Sequence, residues 1–508
     1  MNMSKISEAV KNSYFVLLFS VIGIIIGYLL RIFLSRSLSL ENFGLFYAVS
    51  AFMGVFILIR YIGLNQAVAK YIPEFLIRDE KNKVKTLVIL VIVVQTITIM
   101  IFTGLVFIFK DAITASLFKT DTAGTVLILM TLSFLPSMFF VLFQSAFQGY
   151  QKMKTYALIE PVRISLTFLL SIAFIGSGAS GVAFAYLLAA VLTTCIFVYS
   201  FYKLGITRAK TEFSHKFTKF IFKFSTPVFV SSIAIVLINY TDTLVITFYK
   251  SLSDVALYQV ALPTSQLLLV FSNAMIAVAL PLISGLYAHN KTEEIGKSLK
   301  AMNFLLVLLM MPFVIILFSF PEAVIRILFG DSFLGATLAL QILSIGMICY
   351  SMFAVFQTTL DGIGKPLLNT KIMFLMAGIN LLLNIILVPI FGIIGSAIAF
   401  FVSFAVGALV GYMYVNRYIK SSVNMVKIIK VILSAVASMA IVTFLVKNIF
   451  TQMPFYENFV FSVLLGIFIY VAIIIVSKTI TADDVLFIES KNIRIPRIAK
   501  TLLKLLRR

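Results

Sequence analysis

The fold of this chain is decided by residues 28–75, which read YLLRIFLSRSLSLENFGLFYAVSAFMGVFILIRYIGLNQAVAKYIPEF. They contain the end of one apolar segment, a short polar hinge, a second apolar segment and a basic exit. Arg31 and Arg60 lie inside the apolar segments. Because an arginine at the centre of a membrane helix costs about 3 kcal/mol on insertion scales, we expect both arginines to have a function.

The composition is typical of a polytopic membrane protein. The 508 residues are 61% hydrophobic and 12% charged, with a mean hydropathy of +1.08, which excludes an ordinary soluble protein. Cys195 and Cys349 fall in apolar runs without metal-ligand spacing. We therefore expect two small buried thiols, and neither a metal nor a cofactor.

Apolar runs predict an all-α protein with about 14 transmembrane helices, since about 20 helical residues cross a bilayer core. The predicted spans lie near 14–34, 43–63, 86–109, 123–147, 156–176, 182–202, 220–249, 254–285, 301–320, 337–358, 368–390, 393–416, 427–447 and 458–477.

The distribution of basic residues predicts the orientation. With the N-terminus inside, and with residues near a span end counted with the adjacent segment, 32 of the 41 Lys and Arg lie inside, 6 lie outside and 3 lie deeper within spans. This asymmetry predicts cytoplasmic N- and C-termini in the plasma membrane. It also accounts for the net charge of +21 without nucleic-acid binding.

Three pairs of similar stretches predict an internal repeat. They are 143–152 with 356–365 (FQSAFQGYQK and FQTTLDGIGK), 181–191 with 395–406, and 39–49 with 253–262. Six predicted spans separate the copies, so the copies share one orientation and form a parallel, pseudo-twofold repeat.

The repeat predicts how the chain is organised. The predicted parts are an N-terminal six-helix lobe (1–202), a cytoplasmic linker between the lobes (203–223), a C-terminal six-helix lobe (224–418), two appended transmembrane helices (419–477) and a basic cytoplasmic tail (478–508).

The hinge and exit of the opening stretch resemble the start of polysaccharide-biosynthesis membrane proteins. These are flippases of lipid-linked oligosaccharides in the multidrug/oligosaccharidyl-lipid/polysaccharide exporter superfamily. The resembling residues are Arg36, Glu41, Phe43, Gly44, Gly63 and Leu64, and further along Pro227, Asp242 and Tyr258. The resemblance implies two helical bundles around a central cavity that work by alternating access, and it leaves the sugar open.

Three arginines are candidate ligands for the phosphate of a polyprenyl-linked sugar, because the guanidinium fork donates bidentately and stays charged. Arg31 and Arg60 could instead extend to the membrane interface. Arg163 could instead form an ion pair with Glu160, three residues earlier on the same helix.

Asp242 is a candidate gate or coupling residue, together with Glu160. The repeat maps Asp242 next to Arg31, which predicts a gate whose two charges pair in the inward-open state and part in the outward-open state. Asp242 could instead act as a cap or face water alone, or bind H⁺ or Na⁺. Asn380 and Asn384, one turn apart in a predicted span, are either sugar contacts or polar contacts between helices.

These residues predict a flippase that moves a polyprenyl-(pyro)phosphate-linked oligosaccharide to the outer leaflet, for cell-surface polysaccharide or glycoprotein synthesis. Short outer loops and the lack of a GxxxxGK motif argue against an enzyme. One alternative is a cation-coupled multidrug or metabolite antiporter, which would need a mostly anionic cavity. Another is a membrane scaffold that holds glycosyltransferases through its basic loops. The expected partners are the lipid-linked oligosaccharide, membrane lipid, H⁺ or Na⁺, and glycosyltransferases.

Overall fold

Helices make up all the regular structure that a computed structural model describes for residues 3–58, 63–419, 423–448 and 454–480. This confirms the predicted all-α class. Arg60 and the predicted tail from residue 481 onward lie outside the described residues.

The helices are labelled here in chain order. They are α1 (Met3–Ser37), α2 (Leu40–Val55), α3 (Leu64–Ile77), α4 (Lys81–Ile113), α5 (Thr122–Leu132), α6 (Phe134–Gly149), α7 (Met153–Phe174), α8 (Gly178–Tyr202), α9 (His215–Tyr249), α10 (Leu252–Gln266), α11 (Leu269–Ala288), α12 (Thr292–Ser319), α13 (Pro321–Leu328), α14 (Thr337–Gly362), α15 (Pro366–Phe391), α16 (Ile393–Tyr418), α17 (Met425–Asn448) and α18 (Phe455–Val476).

Twelve helical stretches among the described residues are long and apolar enough to cross a membrane, so the chain is a multi-pass membrane protein. The exact count of 14 is not confirmed. One stretch, Met153–Tyr202, contains both α7 and α8, and Leu40–Val55 is a shorter apolar helix. The predicted span 254–285 is two helices, because the chain turns between α10 and α11 at Leu267 and Leu268.

The chain divides into two compact units. The first comprises Met1–Gln259 with Asn384–Ile393, and the second comprises Val260–Leu383 with Ile394–Arg508. The first unit thus includes α9, which the repeat assigns to the second lobe. The units are therefore not the predicted lobes, whose bounds stay a prediction.

Two glycines of the hinge and exit allow close helix packing in the first unit. A Cβ on Gly44 would lie 1.8 Å from the carbonyl oxygen of Leu252, so only glycine lets α2 approach α10 this closely. Gly63 precedes α3 with φ +68°, a conformation that side chains rarely adopt, and its Cβ would meet the Ser225 carbonyl oxygen. These residues of the family resemblance are therefore structural.

Helix α6 packs between two apolar clusters of the first unit. Leu142 and Ala146 pack with buried residues of α3 and α4. Phe143 and Phe147 pack with buried residues of α7 and α8. Two of the faces of α6 are therefore committed to the core, and a third face, with Gln144 at its centre, is left for another use.

The linker predicted at 203–223 is partly helical. Lys85 at the start of α4 donates hydrogen bonds from Nζ to the carbonyl oxygens of Thr207 (2.9 Å) and Ala209 (2.7 Å). Helix α9 already begins at His215. The linker is thus held against the basic end of α4 rather than hanging free.

The two appended helices belong to the second unit. Helices α17 and α18 pack together and against α12, and the Tyr470 hydroxyl donates to the Leu308 carbonyl oxygen at 3.0 Å. The cysteine prediction was wrong about burial, since Cys195 is exposed and Cys349 partly exposed. In a membrane helix an exposed small apolar side chain can face lipid, so hydropathy alone does not predict burial.

Candidate functional site

Seven side chains from α1, α2, α9, α10 and α15 form two bonded groups in the first unit, and the two groups lie side by side because they use adjacent residues of α9 and α10. The polar cluster consists of Arg31, Tyr47, Asp242, Thr243, Tyr258, Gln259 and Asn384. Four of its members, Arg31, Asp242, Tyr258 and Asn384, are among the residues singled out from the sequence.

Two parallel hydrogen bonds join α9 to α10 within the polar cluster. The Tyr258 hydroxyl donates to Oδ2 of Asp242 at 2.5 Å, and Nε2 of Gln259 donates to Oγ1 of Thr243 at 2.7 Å. Adjacent residues on one helix thus bind adjacent residues on the other. This pairing fixes the register of the two helices, and buried networks of this kind are costly to disturb.

Arg31 extends the polar cluster to α1 and α2. Its Nη1 donates to the backbone oxygen of Gln259 at 2.6 Å and to the side-chain oxygen at 3.2 Å. Its guanidinium lies 4.2 Å from the centre of the Tyr47 ring, a favourable cation–π distance. Within the described residues no carboxylate forms an ion pair with Arg31. The partners are neutral, so they orient the positive charge without cancelling it.

Asp242 is a buried carboxylate, with 2% of its surface exposed. Besides the Tyr258 hydroxyl it accepts a hydrogen bond from Nδ2 of Asn384 at 2.7 Å. Asn384 is itself fully buried. Burying an ionised carboxylate is expensive unless donors replace the lost water. The Asn384 amide therefore acts as a polar contact between helices, and its role in sugar binding stays a prediction.

Arg163 forms the intrahelical ion pair that the sequence offered as an alternative. Its Nε donates to Oε2 of Glu160 at 3.0 Å, and Nη2 bonds to Oε1. The pair lies on one face of α7 and leaves little net charge. A substrate role for Arg163, and a coupling role for Glu160, stay predictions.

The other residues predicted for the site lie apart from the polar cluster or outside the described residues. Asn380, one turn before Asn384, is buried in the second unit, and Arg60 lies outside the described residues. The proposed gate between Arg31 and Asp242 also stays a prediction. Arg31 bonds to Gln259, and Gln259 bonds to Thr243, the residue next to Asp242.

The sequence reasoning missed Tyr47, Thr243 and Gln259. Thr243 and Gln259 each follow a residue that the resemblance had marked, Asp242 and Tyr258, and both pairs are 16 residues apart. Their position next to two marked residues on facing helices was the usable signal. Among the described residues no group of three or more His, Cys, Asp or Glu could hold a metal ion.

Comparison with known families identifies the chain. A family model described as polysaccharide biosynthesis protein matches residues 9–287. The chain belongs to the polysaccharide biosynthesis protein family. A second model, described as lipid II flippase MurJ, matches residues 203–468. The family predicted from the hinge and exit is thereby confirmed.

Individual proteins are similar over most of the chain. The uncharacterized membrane protein MJ1068 of Methanocaldococcus jannaschii is 29% identical over 89% of this chain and 93% of its own length. The probable low-salt glycan biosynthesis flippase Agl15 of Haloferax volcanii is 24% identical over 76% of this chain and 79% of its own. A structure of the lipid II flippase MurJ, inward closed, shares the fold with a TM-score of 0.72 at 16% identity, covering 90% of this chain and 98% of that one.

Proposed function

We propose that this membrane protein is a flippase for a polyprenyl-(pyro)phosphate-linked oligosaccharide. It moves the lipid from the cytoplasmic to the outer leaflet of the plasma membrane by alternating access, with both termini cytoplasmic and no covalent step. Membership of the family supports this class, as do the flippase names of relatives. The observation that carries the proposal is the uncancelled charge of Arg31 inside an apolar unit.

Arg31 is suited to bind the phosphate of the lipid. Its described hydrogen bonds to Gln259 both start from Nη1. The fork of Nε and Nη2 can therefore donate two parallel hydrogen bonds to phosphate oxygens. Tyr47 and Gln259 hold the fork in place before the ligand arrives, which reduces the entropy cost of binding.

The membrane potential can drive this transfer. Moving about two negative charges out of an inside-negative cell releases roughly 4–5 kcal/mol at about 100 mV. This drive operates if the protein returns no compensating charge.

Asp242 is the candidate site for a coupling cation. It is buried beside neutral donors, and uptake of H⁺ or Na⁺ would relieve the cost of its charge. Such uptake would weaken the hold of Tyr258 on α9, and the adjacent pair of Gln259 with Thr243 would transmit the change to Arg31. The proposed gate thus acts through hydrogen bonds, and a direct pair of Arg31 with Asp242 belongs to a second state.

The proposal is tested by a leaflet assay in proteoliposomes with a labelled polyprenyl diphosphate glycan. Wild type is compared with Arg31→Ala, Arg60→Ala and the control Arg417→Ala, an exposed arginine at the end of α16. We expect wild type and the control to accelerate translocation and Arg31→Ala to slow it at least tenfold, since it removes a charge-assisted phosphate contact.

Each alternative has its own outcome in this assay. No translocation by wild type, together with normal glycan synthesis in cells that carry the Arg31 and Arg60 variants, would favour the glycosyltransferase scaffold. Drug efflux without glycolipid translocation would favour the antiporter. The charge exchange Arg31→Asp with Asp242→Arg should restore part of the transport lost in each single variant, and a lack of any recovery would count against the gate.

A further inference from the structure

A groove lined by amides lies in the first unit, away from the residues of the polar cluster. It has a volume of about 480 Å³ and runs between α3, α6 and the start of α7. We call it the amide groove; the neutral polar residues that line it are Asn65, Gln66, Gln144, Ser145, Gln148 and Tyr156. A polar lining of this kind is unusual between helices whose other faces form apolar cores.

The helix periodicity places these side chains together. On α6 the lining residues Val141, Gln144, Ser145 and Gln148 are three or four residues apart and form one stripe. The neighbouring faces of α6 carry the core residues Leu142 and Phe143. The groove is therefore a face that the fold leaves uncovered, and packing does not require its amides.

The amides of the groove lack partners within the protein. Among the described residues the side chains of Gln66, Gln144 and Gln148 make no hydrogen bond. Each side-chain amide has two donor hydrogens and an acceptor oxygen. Three such groups on one surface offer a dense set of donors and acceptors to a ligand.

Asn65 is the observation that points to a ligand. It is 4% exposed, and neither its Oδ1 nor its Nδ2 has a hydrogen-bond partner in the described structure. A buried polar group without a partner is destabilising and calls for an explanation. A ligand that enters the groove and meets this amide supplies one.

The charge of the groove restricts the ligand. Lys70 is the only charged residue among the described lining residues, and its Nζ lies 4.2 Å from the centre of the Phe224 ring. The remaining polar groups are neutral amides and hydroxyls, with Tyr156 adding an aromatic surface. This chemistry fits the hydroxyl and acetamide groups of an uncharged sugar, and it is a poor match for a phosphate.

We propose that the amide groove binds the sugar portion of the lipid-linked oligosaccharide, at a position separate from the phosphate contact of Arg31. This rests on the proposed function. Both α3 and α6 lead into segments rich in Lys that we predict to be cytoplasmic, so the groove lies at the end where the lipid-linked glycan enters. The groove selects the glycan on the inner side, and Arg31 binds the phosphate later in the transfer.

The test measures how much the sugar adds to binding. The full-length protein in nanodiscs is titrated with polyprenyl diphosphate and with the same lipid carrying N-acetylglucosamine, and the ratio of the two Kd values is the sugar increment. We expect an increment of about tenfold or more for wild type, corresponding to one or two good hydrogen bonds. We expect Asn65→Leu and Gln144→Leu to reduce it to near one while leaving the Kd for the bare diphosphate unchanged.

Matched controls separate this proposal from the proposed function. Gln357→Leu changes the repeat-equivalent glutamine and should keep the full increment. Arg31→Ala should raise the Kd values for both lipids by the same factor and so leave the sugar increment unchanged. If even wild type does not prefer polyprenyl diphosphate to polyprenol, the proposed function fails. If wild type shows no increment, or the Leu variants keep it, the amide groove is not a sugar site.

Competition by free sugar and the Tm of Asn65→Leu provide two further tests of the amide groove. Free N-acetylglucosamine at millimolar concentration should compete only weakly; competition as strong as that of the lipid-linked sugar would assign the groove to free sugars and overturn the proposal. Asn65→Leu should retain or raise Tm, because it removes an unpartnered buried amide. A lower Tm would mean that Asn65 is structural and would count against a ligand role.

Discussion

Segments 143–152 and 356–365 are related by the internal repeat, yet the polar side chains at equivalent positions make different contacts. In the first, Gln144 and Gln148 line the amide groove and have no partner among the described residues. In the second, Gln357 contacts the sulfur of Met373. Asp361, the equivalent of Gln148, accepts a hydrogen bond from Nδ2 of Asn369 at 2.6 Å.

Backbone packing is nevertheless the same in both segments. A Cβ on Gly149 would lie 2.8 Å from Cβ of Ile72, and a Cβ on the equivalent Gly362 would lie 2.9 Å from Cγ2 of Ile283. Each glycine thus lets its helix contact an isoleucine of a neighbouring helix. Because the fold keeps this contact in both copies, it does not demand the difference in polar residues. The difference therefore points to a function confined to the first segment.

Asn369 shows how the hydrogen bond of the second segment can be transferred to the first. Its Nδ2 donates to Asp361 and also to the backbone oxygen of Gln357 at 2.9 Å. With the repeat offset of 213 residues, the position of Asn369 corresponds to Tyr156, which lines the groove. In the second segment the two side chains thus bond to each other, whereas the equivalent side chains of the first segment line the groove.

The largest effect on the sugar increment is expected from building this hydrogen bond into the first segment. The double variant Gln148→Asp with Tyr156→Asn should form the carboxylate–amide hydrogen bond of the second segment inside the groove. We expect the sugar increment to fall about tenfold or more, since two lining groups are lost and a charge is gained. Titration with the two lipids described above measures it. A preserved increment would mean that the two segments differ for another reason.

The positions of the helices could be predicted from the sequence, whereas their neighbours could not. Apolar runs mark α4 or α12 directly, because a membrane helix needs about 20 apolar residues. The hydrogen bond of Arg31 to Gln259 joins residues 228 apart, and that of Asn384 to Asp242 joins residues 142 apart. Hydropathy carries no information on which helices meet. The partners of Arg31 and Asp242 could therefore not be predicted from it.

The amide groove escaped the sequence analysis for a related reason. Asn65 and Gln66 follow the exit of the opening stretch and look like polar residues at the end of a span. Gln144 has an equivalent in Gln357 in the aligned stretches, and a residue present in both copies is expected to serve the shared fold. Only the structure shows that one glutamine has a partner and the other lines a groove. A repeat predicts that the two copies share a backbone structure. It does not predict which partners each side chain has.

An intermediate effect is expected at Asn369, and it concerns stability. Asn369→Leu removes both hydrogen bonds of Nδ2. The free energy of unfolding should fall by about 1–2 kcal/mol, because the loss is partly offset by removing a buried Oδ1 that has no partner in the described structure. Thermal unfolding in one detergent measures this as a lower Tm. An unchanged Tm together with a lost sugar increment would reverse the roles assigned to the two segments.

The smallest effect is expected at Gln357 itself. Its Nε2 lies 3.6 Å from the Met373 sulfur, and thioether sulfur is a weak acceptor. Gln357→Leu should therefore change the free energy of unfolding by about 0.5 kcal/mol or less and leave the sugar increment and the translocation rate at wild-type values. Because Gln144→Leu makes the same chemical change at the equivalent position, any difference between the two variants isolates the environment of the groove. Equal losses in both variants would mean that the glutamine serves the repeat as such, and the comparison that assigns the groove to a ligand would no longer hold.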